Sequence, residues 1–195
     1  MNLRVLQSPN NSNIKRREIM EPIKRLKREL RAQGTVIGLY KDTVEVNGNI
    51  AEWDYIHHDG AACVVAVANN GKLLMVKQYR NALDRFTLEL PAGKLDSPDE
   101  PTIECATREL EEETGYKAGK MEYLLTVNTT VAFCNEKVDV YLATELEKTS
   151  QNLDPEEEIN VEEWDIEDLK QLIYEGRMTD GKTIAGIMTY AAKYL

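Results

Sequence analysis

Apolar and polar residues alternate through the first half of the chain, then shift to a helical spacing, and the order of elements follows from where the period changes. Residues 36–40 and 43–46 read as short strands, Asn47-Gly48 as a hairpin turn, and a return strand is expected near 51–56. Residues 61–68 form an apolar, β-branched run closed by Asn69-Asn70-Gly71, with 72–79 as its hairpin partner. A strand over 87–90 leads into Pro91-Ala92-Gly93, and a helix follows Pro101. Further strands are expected over 121–130, 137–143 and Ile159–Trp164. Two helices close the chain, Ile166–Tyr174 and Gly181–Tyr194, the second with Ile184, Ile187, Met188 and Ala191 on one face. Near the start, Ile23, Leu26 and Leu30 recur at helical spacing after Pro22, with Gly34 as a stop. They predict a short amphipathic helix packed on the body or on a second subunit. Strands on both sides of a loop-helix predict an α+β fold in which helices sandwich a sheet. The chain divides into a basic extension with the short helix (1–33), a β-hairpin region (34–60) and a main domain (61–195). The first dozen residues, with their Asn and Ser, are expected to be disordered.

The helix after Pro101 carries the most informative chemistry. At about 100° per residue, Glu109, Glu112 and Glu113 share one arc, while Ile103, Ala106, Thr107, Leu110 and Thr114 form a separate apolar stripe and Glu111 points away. Carboxylates roughly 6 Å apart repel by about 3 kcal/mol per pair at an effective dielectric near 20. Raised pKa values or splayed side chains relieve that repulsion, and so do divalent cations. Hard oxygen ligands suit Mg²⁺ or Mn²⁺, whose open positions accept phosphate oxygens and water. The competing reading is a solvated acidic face.

Composition narrows the alternatives. With 195 residues, 42% of them hydrophobic, the chain can bury one good core. No apolar run approaches the ~20 residues of a membrane span, and no signal-peptide pattern opens the chain. Cys63, Cys105 and Cys134 lack metal-binding or disulfide spacing and read as reduced thiols of a cytoplasmic protein. Residues 1–31 hold nine Lys or Arg against three Glu, a net of +6, so the remainder carries −16 of the overall −10. That acidic body disfavours nucleic acid as a partner despite the basic start.

From Gly93 the sequence runs six residues to Glu100, seven more to Arg108-Glu109-Leu110, then Glu112-Glu113 and Gly115-Tyr116. This resembles the Nudix hydrolase family, whose box spaces its first Gly and Glu by five residues; the extra residue falls in the Ser97-Pro98-Asp99 turn and leaves Asp99 or Glu100 as the first box acid. The resemblance implies a Nudix-type mixed β-sheet between helices (α/β/α) with an N-terminal antiparallel hairpin region. It also implies that Arg108 braces Glu100, and that Glu109, Glu112, Glu113 and the Ala92 carbonyl hold Mg²⁺ or Mn²⁺.

Outside the box, Lys77-Gln78-Tyr79-Arg80, Leu88-Glu89-Leu90-Pro91-Ala92-Gly93, Phe133-Cys134-Asn135-Glu136 and Asp180-Gly181-Lys182-Thr183 resemble the ADP-ribose pyrophosphatase branch. The likeness implies Arg80, Glu89, Phe133 and Glu136 on the substrate side, with Arg108, Glu112 and a base from the Asp154–Glu158 run, Glu157, in catalysis. Glu156 and Glu158 stay open as alternatives for the base, and a strand residue paired with a cation stays open for Glu89. Thr130-Val131-Ala132-Phe133 stands where many such members carry Ser-Pro-Gly-Phe, which leaves the nucleoside open. The implied activity is hydrolysis of ADP-ribose to AMP and ribose 5-phosphate by a homodimer. The alternatives are another nucleoside diphosphate sugar such as GDP-mannose or UDP-glucose, or a sensor that binds a nucleotide without cleaving it.

Overall fold

The computed structural model describes residues 22–195. The expected disorder of the first dozen residues lies outside the described residues. Strands β1 (Lys24–Gln33), β2 (Gly38–Val46) and β3 (Asn49–His57) form a three-stranded antiparallel sheet in that order. The β2–β3 turn uses the expected Asn47 and Gly48 at φ 51° and 77°, the left-handed pair that a two-residue hairpin requires.

The first strand corrects one expectation: the segment holding Leu26 and Leu30 is extended, not helical. Residues four apart share a face at either period, so that spacing could not discriminate. Pairing decides it. Arg28 forks Asp42 on β2 through Nε and Nη2 at 2.7 and 2.6 Å, and its guanidinium lies 3.3 Å over the Tyr55 ring on β3. Since β1 pairs with β2 from Lys24↔Glu45 to Gln33↔Gly38, the division expected after residue 33 does not interrupt the sheet.

The second sheet is mixed. Its strands are β4 (Ala61–Val67), β5 (Leu73–Arg80), β6 (Arg85–Glu89), β7 (Ala92–Lys94), β8 (Tyr116–Asn128), β9 (Lys137–Lys148) and β10 (Ile159–Trp164). The order is β10-β5-β4-β9-β8, with β6 on β5 and β7 on β4; β4 and β9 run parallel and the other pairs antiparallel. Helix α1 (Thr102–Thr114) packs on one face, and α2 (Ile166–Tyr174) and α3 (Gly181–Tyr194) on the other. The alternation of β4 explains the sandwich. Ala62, Val64 and Ala66 join Cys105, Ala106 and Leu110 of α1, whereas Cys63 and Val65 join Leu169 of α2 and Ile187 of α3. A strand buried on both sides has to be apolar throughout, as this one is.

One irregularity creates the site. Strands β4 and β5 pair only at Ala66↔Leu74 and Val67↔Leu73. The freed end of β4 is taken by β7, through Ala61↔Lys94, Ala62↔Gly93 and Cys63↔Ala92. The freed end of β5 is taken by β6, through Val76↔Glu89 to Arg80↔Arg85. The turn from β6 to β7 therefore brings Glu89 and the Pro91-Ala92-Gly93 corner to the point where the sheet splits. No helix among the described residues is long and apolar enough to cross a membrane.

Candidate active site

Helix α1 starts one residue after Pro101, whose carbonyl accepts from the Glu104 and Cys105 amides, and ends at Gly115 in the left-handed conformation (φ 71°). Its buried side consists of Cys105, Ala106, Glu109, Leu110, Glu113 and Thr114. The expected stripe is thus rotated: Ile103 and Thr107 are exposed, and two of the three acids face inward. Glu113 is 3% exposed and accepts a 2.9 Å hydrogen bond from the Ala92 amide, which sets it against the β6–β7 corner. Burial pushes its carboxyl up to about 8, with the charges of Glu109 and Glu157 adding to the shift. Glu109 is also raised, first by burial and then by Glu112 and Glu157, against the opposing pull of Arg108.

Gly93 explains how Glu109 fits. A Cβ at that position would sit 2.0 Å from the Glu109 carboxyl carbon, so the carboxylate lies directly on the glycine backbone. Arg108 organises the surroundings. Its Nη1 donates to Glu109 Oε1 at 2.7 Å and to Glu112 Oε2 at 3.1 Å, while Nε lies 3.4 Å from Glu100. Glu100 also accepts from the Asp96 amide at 2.6 Å, and Asp99 is exposed, so Glu100 is the acid that meets Arg108. Among the described residues no three Asp, Glu, His or Cys side chains already converge as ligands around one point. The donor chemistry nonetheless suits a hard cation: Glu113 and Glu109 are buried carboxylates with raised pKa values, and Glu112 stands beside them with 37% of its side chain exposed.

A second charged group flanks the corner. Glu89, 3% exposed, accepts from Arg80 Nε and Nη2 at 2.7 Å each, from Thr87 Oγ1 at 2.6 Å and from Lys182 Nζ at 2.5 Å. Burial alone would raise this carboxyl; the hydrogen bonds from Arg80 and Lys182 overcome it and hold it at about 2. Lys182 also donates to Asp180 at 2.9 Å, and Asp180 caps α3 by accepting from the Thr183 amide. Glu89 is therefore saturated by protein cations, and the Nε/Nη2 fork of Arg80 is engaged within the protein.

Beside the Arg80 and Lys182 group lies a cleft of about 570 Å³, lined by Arg80, Ala92, Gly93 and Lys182 together with His58, Asn128, Thr129 and Glu136. Glu109, Glu112 and Glu113 meet it through the Ala92-Gly93 corner rather than lining it. Glu136 accepts from Thr129 Oγ1 at 2.5 Å and faces His58 Nε2 at 3.7 Å. Phe133 lies elsewhere, in a groove with Leu39, Trp53 and Ile56 against β3. Glu157 is half-buried, and its charge reaches both Glu109 and Glu113, whereas Glu156 and Glu158 are exposed. Burial pushes the Cys63 and Cys105 thiols up to about 12, which leaves both protonated.

Sequence reasoning missed Asp180, Lys182, His58, Asn128 and Thr129 as lining residues. The Asp180-Gly181-Lys182-Thr183 run was a visible signal; no spacing connects the other three.

The NUDIX domain family pattern matches residues 57–186. The chain belongs to that family and is a Nudix hydrolase. It is 41% identical over 165 residues to the ADP-ribose pyrophosphatase of Bacillus subtilis (strain 168), covering 83% of this chain and 86% of that one. It is 37% identical over 167 residues to the methanol dehydrogenase activator of Bacillus methanolicus, covering 84% and 90%. Among solved structures, a crystal structure of ADP compounds hydrolase aligns with a TM-score of 0.80 over 90% of this chain and 96% of that one, at 18% identity, a likeness of fold.

Proposed function

We propose that this enzyme hydrolyses the pyrophosphate bond of a nucleoside diphosphate sugar, with ADP-ribose as leading substrate and AMP and ribose 5-phosphate as products. The observation that carries this reading is the cleft joining the Ala92-Gly93 corner to a polar wall of His58, Asn128, Thr129 and Glu136. From β7 through β4 and β9 to Asn128 at the end of β8 is about 14 Å at strand spacing, with His58 before β4 and Glu136 before β9 along the way, room for a diphosphate at the corner and a sugar along that wall. The ADP-ribose pyrophosphatase relative supports the substrate.

Glu109, Glu112, Glu113 and the Ala92 carbonyl would hold Mg²⁺ or Mn²⁺, which when bound supplies charge neutralisation at phosphate oxygens and acidifies water. The protein's own part is separable. Arg80 attracts and orients the diphosphate, aided by the positive end of α3 at Gly181. Glu157 takes the proton of the attacking water. Arg108 keeps Glu109 and Glu112 together. Two copies joined through the first sheet would cover Ile23, Leu26, Leu30 and Trp53, all more than 40% exposed.

The test is phosphate monoester release over a panel of nucleoside diphosphate sugars with Mg²⁺. ADP-ribose should be cleaved with the highest kcat/KM. Binding without release on every member would indicate a sensor instead. Gly93→Ala gives a second check: the added methyl displaces the Glu109 carboxylate, so the Mg²⁺ needed for half-maximal rate should rise about 10-fold or more with the fold intact. An unchanged Mg²⁺ requirement would separate Glu109 from metal binding.

A further inference from the structure

Charge around Arg80 does not add up for a single arginine with two duties. Its Nε/Nη2 fork is closed on Glu89, whose side chain is 4% exposed, so a lone Arg80–Glu89 pair would be neutral and would offer a substrate anion little attraction. Lys182 changes this. Its ammonium, with 15% of the side chain exposed, reaches the same Glu89 Oε2 that Arg80 Nη2 contacts and lines the same cleft. Asp180, the other partner of Lys182, is in turn partly neutralised by the first turn of α3, where it accepts from the Thr183 amide at 3.1 Å. The helix start is stapled to the corner as well: Thr183 Oγ1 accepts from the Leu90 amide at 2.9 Å, and Gly186 packs so closely that a Cβ there would lie 2.7 Å from Leu90. Lys182 is thus held at a fixed distance from Glu89 by rigid elements.

Resting on the diphosphate reading above, we propose that Lys182 is a positioning residue: by sharing Glu89, it leaves part of the Arg80 charge available to the substrate diphosphate and keeps the guanidinium plane aimed into the cleft. It follows from a half-buried guanidinium and a buried ammonium sharing Glu89 at the wall of a cleft, while Asp180 is turned to the start of α3.

The experiment compares the parent with Lys182→Met, which keeps the stem and removes the charge, and Lys182→Arg, which restores a cation. Lys182→Gln serves as a second neutral variant should Lys182→Met fold poorly. KM and kcat for ADP-ribose are measured with Mg²⁺, and ADP affinity is measured by calorimetry with a chelator present. The neutral variants should raise KM about 10-fold with kcat within about 3-fold, weaken ADP binding by a similar factor, and be largely rescued by Lys182→Arg. Combining Lys182→Met with Arg80→Met should cost less than the product of the two single effects, since one acts through the other. A parent that cleaves ADP-ribose while its folded neutral variants keep parental KM and ADP affinity would overturn the assignment to Lys182 alone, as would multiplicative effects in the double variant. A parent that neither binds ADP nor cleaves any diphosphate would overturn the nucleotide reading itself.

Discussion

Glu113→Gln should lower kcat about 10³-fold and at the same time stabilise the metal-free protein above neutral pH. The rate loss follows from the proposed ligand role, since a metal-bound charge supplies several kcal/mol of transition-state stabilisation. The gain in stability follows from burial. Glu113 is 3% exposed, and its carboxyl is raised from an ordinary value of 4.5 to about 8. A raised carboxyl binds its proton more tightly in the folded than in the unfolded protein. Stability from this group is therefore fully present below pH ~4.5 and is lost, at about 1.4 kcal/mol per pH unit, as pH rises towards 8. Glutamine mimics the protonated form and can still accept from the Ala92 amide, so the variant escapes that loss. In chelator, thermal melts of parent and variant should coincide near pH 4.5 and diverge by a few kcal/mol near pH 8.5, the variant being the more stable. Parallel curves across that range would mean that Glu113 carries no uncompensated buried charge. Full activity in the variant would remove Glu113 from the site.

Glu157→Gln should reduce kcat about 10²- to 10³-fold with little change in KM, the range expected for loss of a general base. Glu156→Gln and Glu158→Gln should stay within about 3-fold of the parent. The distinction is geometric. The Asp154 carbonyl accepts from the Glu157 amide at 2.9 Å, which turns the loop so that Glu157 is half-buried while its neighbours are exposed. Its charge is felt at both Glu109 and Glu113, so it stands near the acids where water would be activated. A comparable loss in Glu156→Gln with an active Glu157→Gln would transfer the role to that neighbour.

The closing helices were legible because their ends carry local signals: α3 begins after a capping Asp180, and both helices have the expected bounds. The box was legible because its spacing ties identity to one helical face. Where polar residues occupy both faces of a strand, the pattern falls silent. β8 begins at Tyr116, before the expected 121, because Lys117 and Lys120 put a charge on each face. β9 runs to Lys148, beyond the expected 143, carried by the buried Leu146 between exposed Glu145 and Glu147 past a left-handed residue at Glu145 (φ 58°). The first strand misled for a different reason, its leucine spacing satisfying two periods at once. The Arg80–Glu89–Lys182–Asp180 group was illegible as a group. Its members meet only because β6 pairs with β5 and α3 docks on the far face, and no local rule encodes that meeting.

Consecutive residues of β4 belong to different interiors, Val64 beneath the acidic helix and Val65 beneath α3. Side-chain volume at one position therefore sets the seat of α1 with its acids, and volume at the next sets the seat of α3. A substitution at an odd-numbered β4 position is then expected to move α3 and leave α1 seated, and one at an even-numbered position the reverse.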